Sequence, residues 1–296
     1  MSESDFRSGF IALIGSPNVG KSTLLNQIVG TKVSIVSKKP QTTRTRISGI
    51  VTKKDYQIIF LDTPGIHPAK NKLDEVMMRT IESAIEDVDA VLYLVDAKLG
   101  VREQDQNMIE RLEKQKTPFV IVVNKIDAVD RQCLLELLNG LGHEREIYPI
   151  SAKMGDGLDE LLLHLQNFLP EGPKYYPEDA VTDQPERVIA AEIIREKALR
   201  HLGKEIPHGI GVEIEKMEDD EAKDMVNMDA VIYCEKESHK GIIIGRGGSK
   251  LKKIASEARL DIQALFDRKV FLQVWVKVKE DWRNQNSMLK SLGYKD

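Results

Sequence analysis

Eight consecutive residues, Gly15-Ser16-Pro17-Asn18-Val19-Gly20-Lys21-Ser22, fit the pattern G-x-x-x-x-G-K-[ST]. Gly15 and Gly20 let the backbone curl until successive N–H groups point inward, where they can hold phosphate oxygens. Lys21 is placed to reach β- and γ-phosphates, and the Ser22 hydroxyl to bind Mg²⁺. An apolar, strand-sized run, Phe10–Ile14, precedes the loop, and a helical pattern opens at Thr23, so Gly15 to Thr23 is one candidate phosphate-binding segment. The positive end of that helix would point at the same spot.

Further chemistry falls after further apolar runs. Asp62-Thr63-Pro64-Gly65 closes the run Ile58–Leu61 in the form D-x-x-G. An Asp at a strand end beside a phosphate loop holds Mg²⁺, and the Gly65 N–H can meet the γ-phosphate. Asn124-Lys125-Ile126-Asp127 closes the run Phe119–Val123 and resembles the guanine-specificity motif of GTPases. A carboxylate at Asp127 can accept from both guanine N1–H and the 2-amino group, whereas adenine would leave that charge unpaired. Asn124 would tie this loop to the phosphate loop, and the Lys125 stem would cover the base. Ser151-Ala152-Lys153 resembles the remaining base-contacting loop, with the Ala152 N–H directed at guanine O6.

The polar stretch 31–46, with Lys32, Lys38, Lys39, Arg44 and Arg46, fits a mobile switch loop. Within Pro40-Gln41-Thr42-Thr43-Arg44 a threonine should bind Mg²⁺, and Thr43 is preferred to Thr42. The metal ligands expected are thus Ser22, Thr43 and Asp62; the catalytic candidates are Lys21, Thr43 and Asn18. Small signalling GTPases carry a water-orienting glutamine after D-x-x-G, whereas this chain has Ile66. Asn18 together with Ile66 resembles GTPases in which a bound potassium ion neutralises transition-state charge.

A second constellation lies near the C-terminal end. Ile242-Ile243-Ile244 leads into Gly245-Arg246-Gly247-Gly248, a G-x-x-G turn, followed by a helical pattern with Lys250 and Lys253. This is the arrangement of a KH domain, whose turn clamps single-stranded RNA against an apolar groove. Gly245, Gly247 and Gly248 permit close approach, Arg246, Lys250 and Lys253 can meet phosphates, and Ile243, Ile244 and the run Val270–Val278 are candidates for the apolar wall.

These motifs need elements to position them. Phe10–Ile14, Ile58–Leu61, Ala90–Val95 and Phe119–Val123 read as strands buried on both faces, alternating with helical patterns such as Glu103–Lys114 and Leu158–Phe168. That alternation predicts an α/β doubly wound, mostly parallel sheet. A proline-punctuated connector follows, so the organisation expected is a nucleotide-binding domain over 1–170, a linker over 171–186, and a smaller α+β domain over 187–296 with the order helix–strand–strand–helix–helix–strand, a type II KH arrangement. The 296 residues suffice for two cores, 41% hydrophobic and 30% charged content is ordinary for a globular protein, and no apolar run is long enough to cross a bilayer. Cys133 and Cys234 lie far apart, as suits a reducing cytoplasm. A net charge of −4 excludes a global field for nucleic acid, so RNA binding must rest on the local basic cluster.

GTPase motifs followed by a single C-terminal KH domain resemble the Era family of bacterial ribosome-assembly GTPases, over essentially the whole chain. The resemblance implies binding of small-subunit ribosomal RNA near its 3′ end, a role late in subunit assembly, a monomer, and peripheral association with the inner membrane. Two functional readings follow: a slowly hydrolysing GTP switch that controls RNA engagement, or an RNA-binding assembly factor in which the nucleotide is a structural ligand. An ATPase is a third.

Overall fold

The computed structural model describes residues 6–37, 39, 41–203 and 209–294; of the switch-loop residues named above, Lys38 and Pro40 lie outside them. The chain divides into two compact units. The first comprises residues up to Ser34, Thr43–Pro68 and Met78–Asp183; the second comprises Ile35–Thr42, Ala69–Met77 and the chain from Gln184 onward.

In the first unit, strands β1 (Arg7–Gly15), β2 (Ile47–Thr52), β3 (Tyr56–Asp62), β4 (Ala90–Asp96), β5 (Phe119–Asn124) and β6 (Ile147–Ile150) form one sheet in the order β2-β3-β1-β4-β5-β6. Only β2 runs antiparallel, against β3; the other pairings are parallel. Helices α1 (Lys21–Val29), α3 (Glu103–Glu113), α4 (Arg131–Gly140), α5 (Leu158–Leu165) and the part of α2 (Lys72–Glu86) from Met78 onward intervene. The period-2 pleat explains why the strand sequences are continuously apolar. Ile11, Leu13, Leu92, Leu94 and Val122 enter one core with Leu24, Leu25 and Leu161 of α1 and α5. Their neighbours Ala12, Ile14, Val91, Tyr93 and Val123 enter another with Ile81, Ile109 and Leu112 of α2 and α3.

The register aligns the strand ends. Leu13 pairs with Asp62, Gly15 with Leu94, Asp96 with Asn124, and Asn124 with Ile150. The strand order turns back at β1, so a crevice opens at the carboxyl ends beside it, where open α/β sheets bind ligands.

In the second unit, α6 (Glu186–His201) precedes the hairpin β7 (Gly211–Asp220) and β8 (Met225–Cys234); α7 (Glu237–Ile244) and α8 (Ser249–Phe266) then cross over to β9 (Lys269–Val278), parallel to β8. This is the element order read from sequence. Alternate residues Val226, Met228, Ala230, Ile232 and Cys234 of β8 pack on Ile194, Ala198, Ile254, Ala258 and Ile262. A smaller cluster has no counterpart in the sequence reading: Leu73, Val76 and Met77 pack with Trp282, Leu289 and Tyr294, around the short helix α9 (Asn286–Ser291).

Candidate nucleotide site and nucleic-acid interface

The phosphate-loop motif occupies the turn from β1 into α1. Lys21 is buried, and its Nζ donates to the carbonyls of Gly15 (2.8 Å) and Ser16 (3.2 Å), so the ammonium is folded against the loop it belongs to. Burial lowers its pKa from 10.5 to about 8, while attraction to Asp62 pulls the other way. A bound phosphate would restore the ammonium.

The unfolded chain keeps the Lys21 proton up to pH 10.5, and the folded nucleotide-free protein releases it above about 8, so stability rises with pH between those values. Nucleotide binding must return the proton, so affinity is expected to fall about tenfold from pH 7 to pH 9. Calorimetric titration in buffers of different ionisation enthalpy should show nearly one proton taken up per nucleotide at pH 9; no uptake there would contradict the lowered pKa.

Three oxygens gather beside Lys21. Ser22 Oγ donates to Asp62 Oδ2 (2.6 Å) and lies 3.0 Å from Thr43 Oγ1, itself 3.4 Å from Asp62 Oδ2. Ser34 Oγ, which carries no motif in the sequence, donates to the same Oδ2 (2.8 Å). Burial raises the Asp62 pKa, against the lowering effects of Lys21 and the three hydroxyls. Its other oxygen, Oδ1, is buried without a hydrogen-bond partner. A cluster of hard oxygen donors around a buried carboxylate with one unsatisfied oxygen fits Mg²⁺. The neighbouring threonine is used differently, since Thr42 Oγ1 donates to the Lys39 carbonyl (2.6 Å).

The D-x-x-G segment runs against the phosphate loop. Thr63 Oγ1 donates to the Leu13 carbonyl (2.8 Å), Ile66 N to the Gly15 carbonyl (3.2 Å), and Pro64 is buried. A Cβ at Gly65 would sit 2.7 Å from Pro17 Cα, so glycine is required there by close backbone approach. Ile66 is half-buried among apolar neighbours, in keeping with a side chain that cannot orient water.

On the other side of the crevice, Asn124 Nδ2 donates to the Val19 carbonyl (2.8 Å), which fastens the N-K-x-D turn to the phosphate loop. Its Oδ1 accepts from Lys125 N (2.8 Å) and Ala152 N (2.9 Å). The Ala152 N–H, directed at the base by the sequence reading, is thus held by Asn124 here, and a base oxygen bonding it would share it with that acceptor. Lys125 adopts a left-handed φ of 68°, and its Nζ bonds the Asn18 carbonyl (2.6 Å) and Asp96 Oδ2 (2.5 Å). Sequence reasoning passes over Asp96, although it ends β4 as Asp62 ends β3. Asp127 Oδ1 accepts from Ser151 Oγ (2.6 Å), which orients the carboxylate; Ser151 and Ala152 are buried and Lys153 is exposed.

The G-x-x-G turn of the second unit links α7 to α8. Gly245, Gly247 and Gly248 have φ values of 73°, 56° and 78°, and a Cβ on Gly245 would approach Lys250 Cβ to 2.7 Å. Arg246 and Lys253 are exposed and Lys250 half-exposed, around an α8 start with no acidic residue in its first turn. One expectation needs correction: Ile243 is fully buried in the domain core and cannot line a groove. The helical geometry of α7 buries it and turns Ile242 outward instead, at 45% exposure.

A further residue had no sequence signal. The buried guanidinium of Arg195 on α6 donates to the carbonyls of Gln41 (3.4 Å) and Thr42, with Glu192 as its ion-pair partner. Gln41 Nε2 in turn donates to Asp74 Oδ1 (2.8 Å). The two short segments gathered into the second unit are therefore joined to each other and to α6.

Comparison with known proteins agrees with this geometry. Residues 10–125 match a family described as 50S ribosome-binding GTPase, and residues 205–283 match the KH domain. GTPase Era of Alkaliphilus metalliredigens is 51% identical over 98% of this chain and 99% of its own length; that of Clostridioides difficile is 50% identical over 98% and 99%. Among solved structures, Era in complex with MgGDPNP and nucleotides 1506–1542 of 16S ribosomal RNA is similar at a TM-score of 0.94 and 39% identity, covering 98% of this chain and all of that one. An Aquifex aeolicus Era variant bound to GDP and aluminium fluoride matches equally well.

Proposed function

Because this chain belongs to the Era family of GTPases, we propose that it binds and slowly hydrolyses GTP with Mg²⁺, engages small-subunit ribosomal RNA near its 3′ end through the KH domain, and assists late assembly of that subunit as a monomer. The observation that carries the reading is the convergence of Ser22, Thr43 and Asp62 beside buried Lys21. Ser22, Thr43 and Asp62 would hold Mg²⁺, which when bound offsets charge on the β- and γ-phosphates. Lys21 would carry its proton to the same phosphates, and the backbone of residues 15–23 would wrap them. Asp127 would choose guanine, with Ser151 keeping its carboxylate aimed.

Since Ile66 cannot orient the attacking water, positioning and charge neutralisation must serve instead. Asn18 would contribute a ligand to a potassium ion at the phosphates. Phosphate release is therefore expected to be several-fold faster in KCl than in NaCl at matched ionic strength; equal rates would remove potassium from the account.

Control of RNA binding by nucleotide is the finer part of the reading. The bonds of Arg195 to Gln41 and Thr42, immediately before Thr43, support it, because order at Thr43 would then bear on α6. RNA affinity measured with a non-hydrolysable GTP analogue and with GDP tests this: the analogue should bind RNA at least tenfold tighter, and equal affinities would leave the nucleotide a structural ligand. The same reading places the protein in the cytoplasm with peripheral contact to the inner membrane. No described helix is long and apolar enough to cross a membrane.

A further inference from the structure

The pattern G-x-x-x-x-G-K-[ST] leaves its second position open, yet Ser16 is held there by a buried carboxylate from a different element. Ser16 is 1% exposed, and its Oγ donates to Asp105 Oδ1 (2.9 Å). The Tyr93 hydroxyl, from the buried face of β4, donates to the same oxygen (2.9 Å). Asp105 Oδ2 accepts from Arg102 N and Arg102 Nε, both at 3.1 Å, and Gln104 Nε2 donates back to Ser16 Oγ (2.9 Å). The carboxylate, itself 1% exposed, therefore has two donors on each oxygen, so its charge is compensated inside the fold. Tyr93 is bound to stay protonated, because burial and the adjacent carboxylate push its pKa far up.

This chain of bonds ends at the Lys21 ammonium, since the Ser16 carbonyl is one of the two acceptors of Lys21 Nζ. A negative charge beside an anion site does nothing for phosphate by attraction. What it supplies is a fixed anchor: the start of α3 clamps the outer arm of the loop while Asn124 clamps its inner arm through Val19. We propose that Asp105, acting through Ser16, is a positioning residue for the phosphate loop, so that nucleotide residence depends on the start of α3. The inference rests on the nucleotide-binding reading above.

The test is release of a fluorescent GDP analogue from the full-length protein with Mg²⁺. Ser16→Ala and Asp105→Ala, each of which removes one partner of the bond outright, should each speed release about tenfold, the size expected for loss of one charge-assisted hydrogen bond. The double variant should also stay near tenfold, because both changes cut the same link. Tyr93→Phe removes the other donor to the carboxylate but leaves the loop bond, so it should lower the melting temperature without changing release. Ser16→Ala keeps the α3 cap intact and remains informative should Asp105→Ala fail to fold. Unchanged release in Ser16→Ala, or a double variant near a hundredfold, would overturn the proposal. A parent protein that fails to bind the analogue at all would instead sink the nucleotide-binding reading.

Discussion

Asp127→Asn is expected to weaken GTP and GDP binding by about a thousandfold and to make xanthine nucleotides the better ligands. The carboxylate accepts two N–H groups from guanine; the amide presents its own NH₂ where one of those donors sits, so one hydrogen bond disappears and two donors are left opposed. Loss of a charge-assisted bond together with two donors opposed beneath the bound base costs about 4 kcal/mol, which is the thousandfold. Xanthine carries a carbonyl in place of the 2-amino group and can accept from the new NH₂ while still donating N1–H. The change should be confined to recognition, because Ser151 Oγ donates to Asp127 Oδ1 and an asparagine oxygen can accept the same bond. Competition of a fluorescent GDP analogue by GDP, XDP and ADP measures all three preferences at once. Undiminished GDP affinity would place the base elsewhere, and tight ADP binding to the parent protein would favour an ATPase.

What could be read from sequence depended on whether the residues of a feature are neighbours in the chain. Gly15 to Ser22 is legible because one turn supplies all its own phosphate-binding groups, and the buried strands are legible because their apolar runs are continuous and covered on both faces. Asp62 and Asn124 could be placed because each ends such a run. Asp96 obeys the same rule at the end of β4, but no four-residue pattern surrounds it, and its partner Lys125 is on another strand end. Ser34, Asp105 and Arg195 carry no local signature at all. Each looks like an ordinary polar residue until the fold brings it to Asp62, Ser16 or the Thr42 carbonyl. Ile243 shows the converse error: Ile243 and Ile244 suggested an apolar wall, but in a helix Ile243 is swallowed by the core, Ile244 packs partly against it, and Ile242 is the one turned outward.

The second large effect is expected at the other end of the chain. Replacing Arg246 and Gly247 together with Asp should weaken binding to a single-stranded RNA from the small-subunit 3′ end at least a hundredfold, while GDP affinity stays within about twofold. The turn offers phosphates two kinds of attraction: the guanidinium of Arg246, and the N-terminus of α8, whose first turn holds no acidic residue. Two carboxylates reverse the first and oppose the second, and every phosphate that the turn no longer neutralises keeps its condensed counterion. The fold should tolerate the change. Arg246 and Gly247 are exposed, a Cβ at Gly247 meets nothing within 4 Å, and aspartate accepts the left-handed φ of 56° better than most residues. Salt dependence separates this from unfolding: the parent protein should lose RNA affinity steeply with added KCl, and the variant's slope should be shallower at an unchanged melting temperature. RNA binding that survives both substitutions with the parental slope would mean that phosphates are held elsewhere on the KH domain, because no neutral group could compensate for two negative charges in the middle of the clamp.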